Sequence, residues 1–179
     1  AISSFDIANL KGKLVFLVNY DGVMDEQTVL IDTLINGALK SFISTDIFHN
    51  LEPGECTELN IFIKKDILSI LVFKKYNKYS FNEARLMGAN ISKAINSGSS
   101  DIIISNDGFP EEVAFGVKLR SYSFSKYKKL KSDNNHTTSL YVLDVPATKN
   151  AFEEKEAISR GVSFTRDLIN EPANVLTTQ

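Results

Sequence analysis

The sequence predicts an α/β fold: a three-layer α/β/α sandwich built on a mixed, mostly parallel sheet. Three observations carry this expectation. Apolar runs of strand length alternate with segments whose apolar residues recur every three or four positions, the pattern of strands separated by amphipathic helices. Two of the runs, 57–63 and 67–73, are separated only by Lys64, Lys65 and Asp66, a link that fits an antiparallel hairpin and so makes the sheet mixed. A chain of 179 residues with 43% hydrophobic content is also long and apolar enough to bury one sizeable core.

The elements follow in order. KLVFLVN (13–19) is a buried strand closed by the turn residues Tyr20, Asp21 and Gly22. From Gln27 to Phe42, the stripe Leu30, Ile31, Leu34, Ile35, Ala38, Leu39 and Phe42 predicts one amphipathic helix. TELNIFI (57–63) and ILSILVF (67–73) form the hairpin. In the segment 80–99, Ser80 and Glu83 have the spacing of a capping box. Ala84, Met87, Ile91 and Ala94 or Ile95 trace one helical face until Ser97-Gly98.

DIIIS (101–105) is a compact buried strand. After Asp107-Gly108, Pro110 suits the first turn of a helix over 111–121, because its missing N–H costs nothing there. TSLYVLDV (138–145) reads as a strand ended by Pro146. Asn150 and Glu153 then offer a second cap, and Phe152, Ile158, Val162, Thr165 and Ile169 hold helical spacing until Pro172 disfavours α geometry at Glu171. KLKSDNNHTT (129–138) is polar and aperiodic, an expected exposed loop. No internal repeat or low-complexity tract occurs.

The net charge is −2, which excludes a generally basic nucleic-acid binder, but the charge is unevenly placed. Residues 1–60 carry nine acidic and three basic side chains, whereas 118–131 carries six basic and no acidic ones. In that stretch Tyr122, Phe124 and Tyr127 interleave with Lys118, Arg120, Lys126, Lys128, Lys129 and Lys131. These are the candidate nucleic-acid contacts, phosphates to the cations and bases to the rings. The bland alternative is a helix end with cations at its negative pole, leading into a solvated loop. A single cysteine, Cys56, excludes an internal disulfide, and no apolar run approaches the roughly 20 residues that span a bilayer. A cytoplasmic protein with no membrane partner is expected.

Local motifs for chemistry are missing. His49 and His136 lie far apart, and neither HExxH nor CxxC occurs. Cys56, in GECTEL, reads as a small apolar residue entering a strand. No Gly-x-Ser-x-Gly elbow or glycine-rich phosphate loop is present. Glu111-Glu112 and Glu153-Glu154 are adjacent on helices, so they point apart and suit the first turn electrostatically. No catalytic or metal-binding residue is assigned within the chain.

Three segments nevertheless resemble one known pattern. TRDLINEPANVLTT resembles the join between the two domains of the leucyl aminopeptidase family, the cytosolic dimetal aminopeptidases. FGVKLRSYSFSKYKK is similar to that family's G-x-x-L-x-x-Y-x-F-x-x-Y-K segment at Gly116, Leu119, Tyr122, Phe124, Tyr127 and Lys128. EARLMGANISKAI resembles its helix with a Gly-centred motif, although Met87 stands where Leu is usual. Thr178 departs from the proline that commonly follows threonine in the link.

The resemblance implies an N-terminal non-catalytic domain at 1–147, macro-domain-like, and a connecting helix and linker at 148–179, with Asn170, Pro172 and Asn174 as interdomain link residues. It further implies a catalytic domain following Gln179 that holds two divalent metal ions (Mn, Zn or Mg) and releases N-terminal amino acids from peptides, usually in a homo-hexamer. The domain itself would serve assembly and access, and the chain alone is expected to be inactive. The alternative is a nucleic-acid-binding module using Lys118–Lys131, with DNA as its partner. ADP-ribose, which macro domains bind in other proteins, is not expected as a ligand, because the phosphate loops are missing and fold does not carry function.

Overall fold

In a computed structural model, the chain is described over residues 12–63, 66–95, 100–103, 109–124, 126–127, 138–141 and 145–172. Its elements run β1 (Lys13–Val18), α1 (Glu26–Leu34), α2 (Ala38–Ile43), α3 (Asp46–Asn50), β2 (Cys56–Ile63), β3 (Asp66–Lys74), α4 (Phe81–Ile95), β4 (Ser100–Ile103), α5 (Pro110–Arg120), β5 (Thr138–Tyr141) and α6 (Val145–Asn170). One five-stranded sheet has the order β2-β3-β1-β4-β5. β1 pairs in parallel with β3 and β4, β4 in parallel with β5, and only the β2-β3 hairpin is antiparallel.

β1 lies between two neighbours with helices over both faces, which is why its sequence is apolar without alternation. Leu14, Phe16 and Val18 join Ile70 and Val72 under Ile31, Ile35, Leu39, Phe42 and Phe48 of α1, α2 and α3. Val15 and Leu17 join Leu71 and Phe73 under Ala84, Met87, Ile91 and Ile95 of α4 and Val113 of α5. These two cores on opposite faces are the three-layer sandwich that the alternation of runs and stripes predicts. The register Leu14 to Ile70 and Val15 to Leu71 keeps each face continuous across the strands.

The single helix expected over 27–42 is two. Asn36 and Gly37 take positive φ, 58° and 70°, and the Gly37 N–H returns to the Asp32 carbonyl at 2.9 Å, ending α1 in a left-handed C-terminal cap. The Asp32 carboxylate, 4% exposed, accepts from the N–H groups of Leu39 (2.8 Å) and Lys40 (3.3 Å) and so caps α2. The apolar stripe survives the break because Ile31, Ile35, Leu39 and Phe42 all reach the same core. Leu30 and Leu34, counted in that stripe, face solvent.

Two further expectations are corrected at the end of the chain. The expected strand over 138–145 does not reach its end: residues 142–144 lie outside the described residues, Val145 already belongs to α6, and Pro146 lies in that helix's first turn, where a missing N–H is harmless. Asn150 is accordingly an interior residue of that helix, not its cap. The inward face of α6 is also different: Ser159 is buried and Phe152 and Val162 are half-buried, while Ile158, Thr165 and Ile169 are exposed. The Ser80-Glu83 cap of α4 is present, the Glu83 carboxylate accepting from both the N–H and the hydroxyl of Ser80. Ser97-Gly98, Asp107-Gly108 and residues 129–137 of the expected loop lie outside the described residues.

Helices α4 and α5 cross at glycines. A Cβ on Gly88 would sit 2.1 Å from the Val113 carbonyl oxygen, and one on Gly116 would sit 2.1 Å from that of Arg85. The two backbones therefore touch, and only glycine fits at either position. Helix α6 packs on α5 from outside.

Candidate functional site

Two of the segments singled out by their resemblance, FGVKLRSYSFSKYKK and TRDLINEPANVLTT, about 45 positions apart, meet in space. The C-terminus of α5 leaves carbonyls without helical partners, and Arg166 of α6 donates from Nη1 to the Leu119 carbonyl at 2.8 Å. The same guanidinium lies over the Tyr122 ring, 5.4 Å from its centre. Tyr122 donates its hydroxyl to Asp167 Oδ1 at 2.8 Å and receives Asn170 Nδ2 at 3.4 Å. Beyond it, Lys126 Nζ and the Tyr127 hydroxyl both donate to Glu171. Residues 119–127 thus clasp the last turn of α6 through its Arg166, Asp167, Asn170 and Glu171.

The charges of the clasp are mutually adjusted. Hydrogen bonds from Lys126 and then Tyr127 hold the Glu171 carboxyl below the usual carboxylate range. Glu171 in turn raises Lys126 and Tyr127. The Tyr122 phenol is also raised, by burial first and then by its bond to Asp167.

A second tie lies further up α6. Glu112 in the first turn of α5 accepts from Arg85 Nε (3.0 Å) and Nη2 (2.9 Å) of α4 on one oxygen, and from Lys155 Nζ of α6 on the other at 2.6 Å. Its side chain is 5% exposed. Burial pushes its carboxyl up, but the Lys155 and Arg85 bonds outweigh that, and the group lies below its ordinary value. One carboxylate therefore joins three helices. The pair Glu111-Glu112 marks a helix start in sequence, but its tertiary partners come from segments far away in the chain.

The other candidates resolve as follows. Asn170 donates to the Arg166 carbonyl at 2.7 Å, closing the helix end, and Pro172 follows exposed. Asn174, Lys128, Lys129 and Lys131 lie outside the described residues, as does His136. Lys118 and Arg120 are exposed, while Lys126 is engaged with Glu171. The basic stretch thus keeps two exposed cations without an ion pair among the described residues, Lys118 and Arg120. Cys56 is half-buried, its thiol pushed up by burial and then by Glu58, the opposite of an activated nucleophile. His49 is exposed, its carbonyl accepting from Lys74 Nζ at 2.9 Å.

Sequence reasoning missed a pair of buried lysines at the end of β3. Lys74 bonds the Phe48 and His49 carbonyls, and Lys75 bonds Asn19 Oδ1 at 3.0 Å under the Tyr79 ring. The first ties α3 to the sheet and the second ties β3 to the end of β1. Among the described residues, no group of three or more His, Cys, Asp or Glu side chains could hold a metal ion, and no helix is long and apolar enough to cross a membrane.

An α/β/α domain whose final helix is clasped at its C-terminus is the class that fold and site define. Comparison with known proteins narrows it. No protein-family model matches the chain. A probable cytosol aminopeptidase of Dinoroseobacter shibae is 32% identical over 171 residues, spanning 93% of this chain and 34% of that protein. One from Cereibacter sphaeroides is 27% identical over 172 residues, 96% of this chain and 35% of its own length. One from Xanthobacter autotrophicus reaches 48% over 69 residues, 36% of this chain and 14% of that protein.

Among solved structures, a tomato leucine aminopeptidase mutant superposes with a TM-score of 0.65 at 18% identity, covering 97% of this chain and 38% of that one. The bottromycin maturation enzyme BotP gives 0.61 at 15% identity, covering 93% and 34%. At these identities the superpositions show the fold. The chain belongs to the leucyl aminopeptidase, or cytosol aminopeptidase, family, as its N-terminal domain. It spans about a third of the length of the relatives it matches.

Proposed function

We propose that this chain is the assembly and access domain of a dimetal leucyl aminopeptidase that releases N-terminal amino acids from peptides in the cytoplasm. Residues 1–147 form the non-catalytic domain, and 148–179 the connecting helix and linker. The catalytic domain supplies the two divalent metals, manganese, zinc or magnesium, and the complete enzyme is a homo-hexamer. The donor set among the described residues does not fit such a metal pair, so no step of hydrolysis is assigned to them.

The observation that carries this reading is the clasp. Tyr122, Lys126 and Tyr127 hold Asp167 and Glu171 immediately before Pro172, fixing the direction in which the chain leaves the domain. Asn170, Pro172 and Asn174 are the link itself. The outer side of α6 supports the same reading, because Phe164 and Leu168, opposite the buried Ser159, are exposed, as are Ile158 and Ile169 on one flank, making an apolar strip. Since the relatives are about three times as long as this chain, the occupant we assign to that strip is the chain's own catalytic domain.

The test compares the product of the complete reading frame, the same product lacking residues 1–145, and the 179-residue chain, in leucine-amide hydrolysis with added manganese and in sedimentation. Activity and a hexamer are expected only for the complete product. A hexamer of full activity in the shortened product would overturn the assembly role, and activity of the 179-residue chain would overturn the division of labour.

A further inference from the structure

Lysine outnumbers arginine sixteen to four in this chain, yet three of the four arginines line one cleft. The cleft, of about 610 Å³, lies between α4, α5 and α6 and is bordered by Arg85, Arg120 and Arg166 over a floor of Leu86, Ala89 and Leu119. Each arginine comes from a different helix. Its volume falls in the range of small-molecule sites, roughly 300 to 1,000 Å³.

The guanidiniums retain donors. Arg85 uses Nε and Nη2 on Glu112, leaving Nη1. Arg166 uses Nη1 on the Leu119 carbonyl, leaving Nε and Nη2. Arg120 is exposed and makes no ion pair or hydrogen bond among the described residues. Of the three arginines lining the cleft, Arg85 is paired with Glu112, whereas Arg120 and Arg166 make no ion pair among the described residues, leaving two positive charges in excess. Arginine in place of the lysine this sequence favours elsewhere signals planar, forked recognition of an oxyanion.

A carboxylate offers two acceptor oxygens in one plane. A phosphate monoester offers three in a tetrahedral array and carries close to two negative charges at neutral pH. It therefore matches both the excess charge and the three directions from which the arginines come, while the apolar floor suits an organic body. We propose that this cleft binds a small organic phosphate, its oxygens on Arg85, Arg120 and Arg166 and its apolar portion against Leu86, Ala89 and Leu119. A ligand held there bridges α6 to α4 and α5 and steadies the connecting helix. This site is independent of the aminopeptidase reading.

The experiment titrates the 179-residue chain with phenyl phosphate, inorganic phosphate and phenylacetate at constant ionic strength, following amide NMR shifts and amide exchange in α6. Saturable binding is expected for phenyl phosphate, weaker for inorganic phosphate and weakest for phenylacetate. Shifts should centre on Arg85, Gly116, Arg120 and Arg166, with slower exchange over the second half of α6. Arg120→Gln, which breaks no contact among the described residues, should weaken phenyl phosphate by about tenfold with an unchanged melting temperature. Arg120→Lys, which keeps the charge and loses the fork, should also bind more weakly than the wild type. Phenylacetate binding as tightly as phenyl phosphate, shifts that chloride reproduces, or unaltered affinity in both variants would overturn the proposal.

Discussion

Helix α5 has two neighbours, shares Glu112 between them, and is otherwise held to them by different means. Against α4 it presents Gly116 to the Arg85 carbonyl while Gly88 faces Val113, so backbone meets backbone with no room for a methyl group. Against α6 it presents Glu112 to Lys155 and the Leu119 carbonyl to Arg166, polar contacts that bridge a wider gap. The glycine crossing itself is steric and indifferent to salt or pH, although the Arg85–Glu112 pair adds one polar tie beside it. The contact with α6 is electrostatic and depends on both. The body of the domain is thus fixed by shape, while the helix leading out of it is attached by groups that titrate.

Breaking the steric side should cost most. Gly116→Ala drives a methyl into the Arg85 carbonyl and forces the helices apart, with an expected loss of about 3 kcal/mol in urea unfolding. A loss below about 1 kcal/mol would show that the crossing relaxes and that the contrast is overdrawn.

Next comes the buried end of the electrostatic side. Glu112→Gln removes the charge shared by Arg85 and Lys155 and should cost about 2 kcal/mol, less than a fully buried pair because Arg85 reaches water. The accompanying signature is local: amide exchange should quicken in α6 more than in α4. Within the other core layer, Asp32→Ala strips the cap from α2 and should cost about 1 kcal/mol, read from the denaturation midpoint.

The smallest effect is expected at the clasp, and it sharpens the comparison through pH. Glu171 is depressed, so its contribution is present above the ordinary carboxylate range and is lost as pH falls through its lowered value. Lys126 and Tyr127 are raised, so theirs is complete below their ordinary values and is lost as pH rises through the raised ones. Protection factors in the last turn of α6 should therefore form a plateau around neutral pH and fall in acid. Those at the α4-α5 crossing should fall less over the same acid range, because Glu112 is the one titrating tie there among the described residues and the glycine contact beside it does not titrate. Glu171→Gln should flatten the acid limb without changing global stability; a limb that persists in this variant would place the titrating group elsewhere.

The strands and α4 were legible because their signals are local and repeated. A run such as KLVFLV is apolar throughout only if both faces are covered, and Ala84, Met87, Ile91 and Ile95 agree on one face turn after turn. The break at Asn36-Gly37 was hidden because the apolar stripe continues across it, and two residues able to take positive φ do not announce that they do so. Helix α6 misled for the converse reason. It carries apolar residues on its outer side, and periodicity finds a stripe without saying what covers it.

The sequence by itself determined the layer order, the mixed sheet, the glycines of the α4 and α5 segments and the three motifs whose resemblance points to the family. Tertiary structure alone decided that two of those motifs are one clasp, that Glu112 joins three helices, and that three arginines share a cleft. The physical reason is range. Propensity, capping and periodicity act within a few residues and can be read along the chain. Partners some 45 positions apart are chosen by the crossing of helices, which no local pattern encodes.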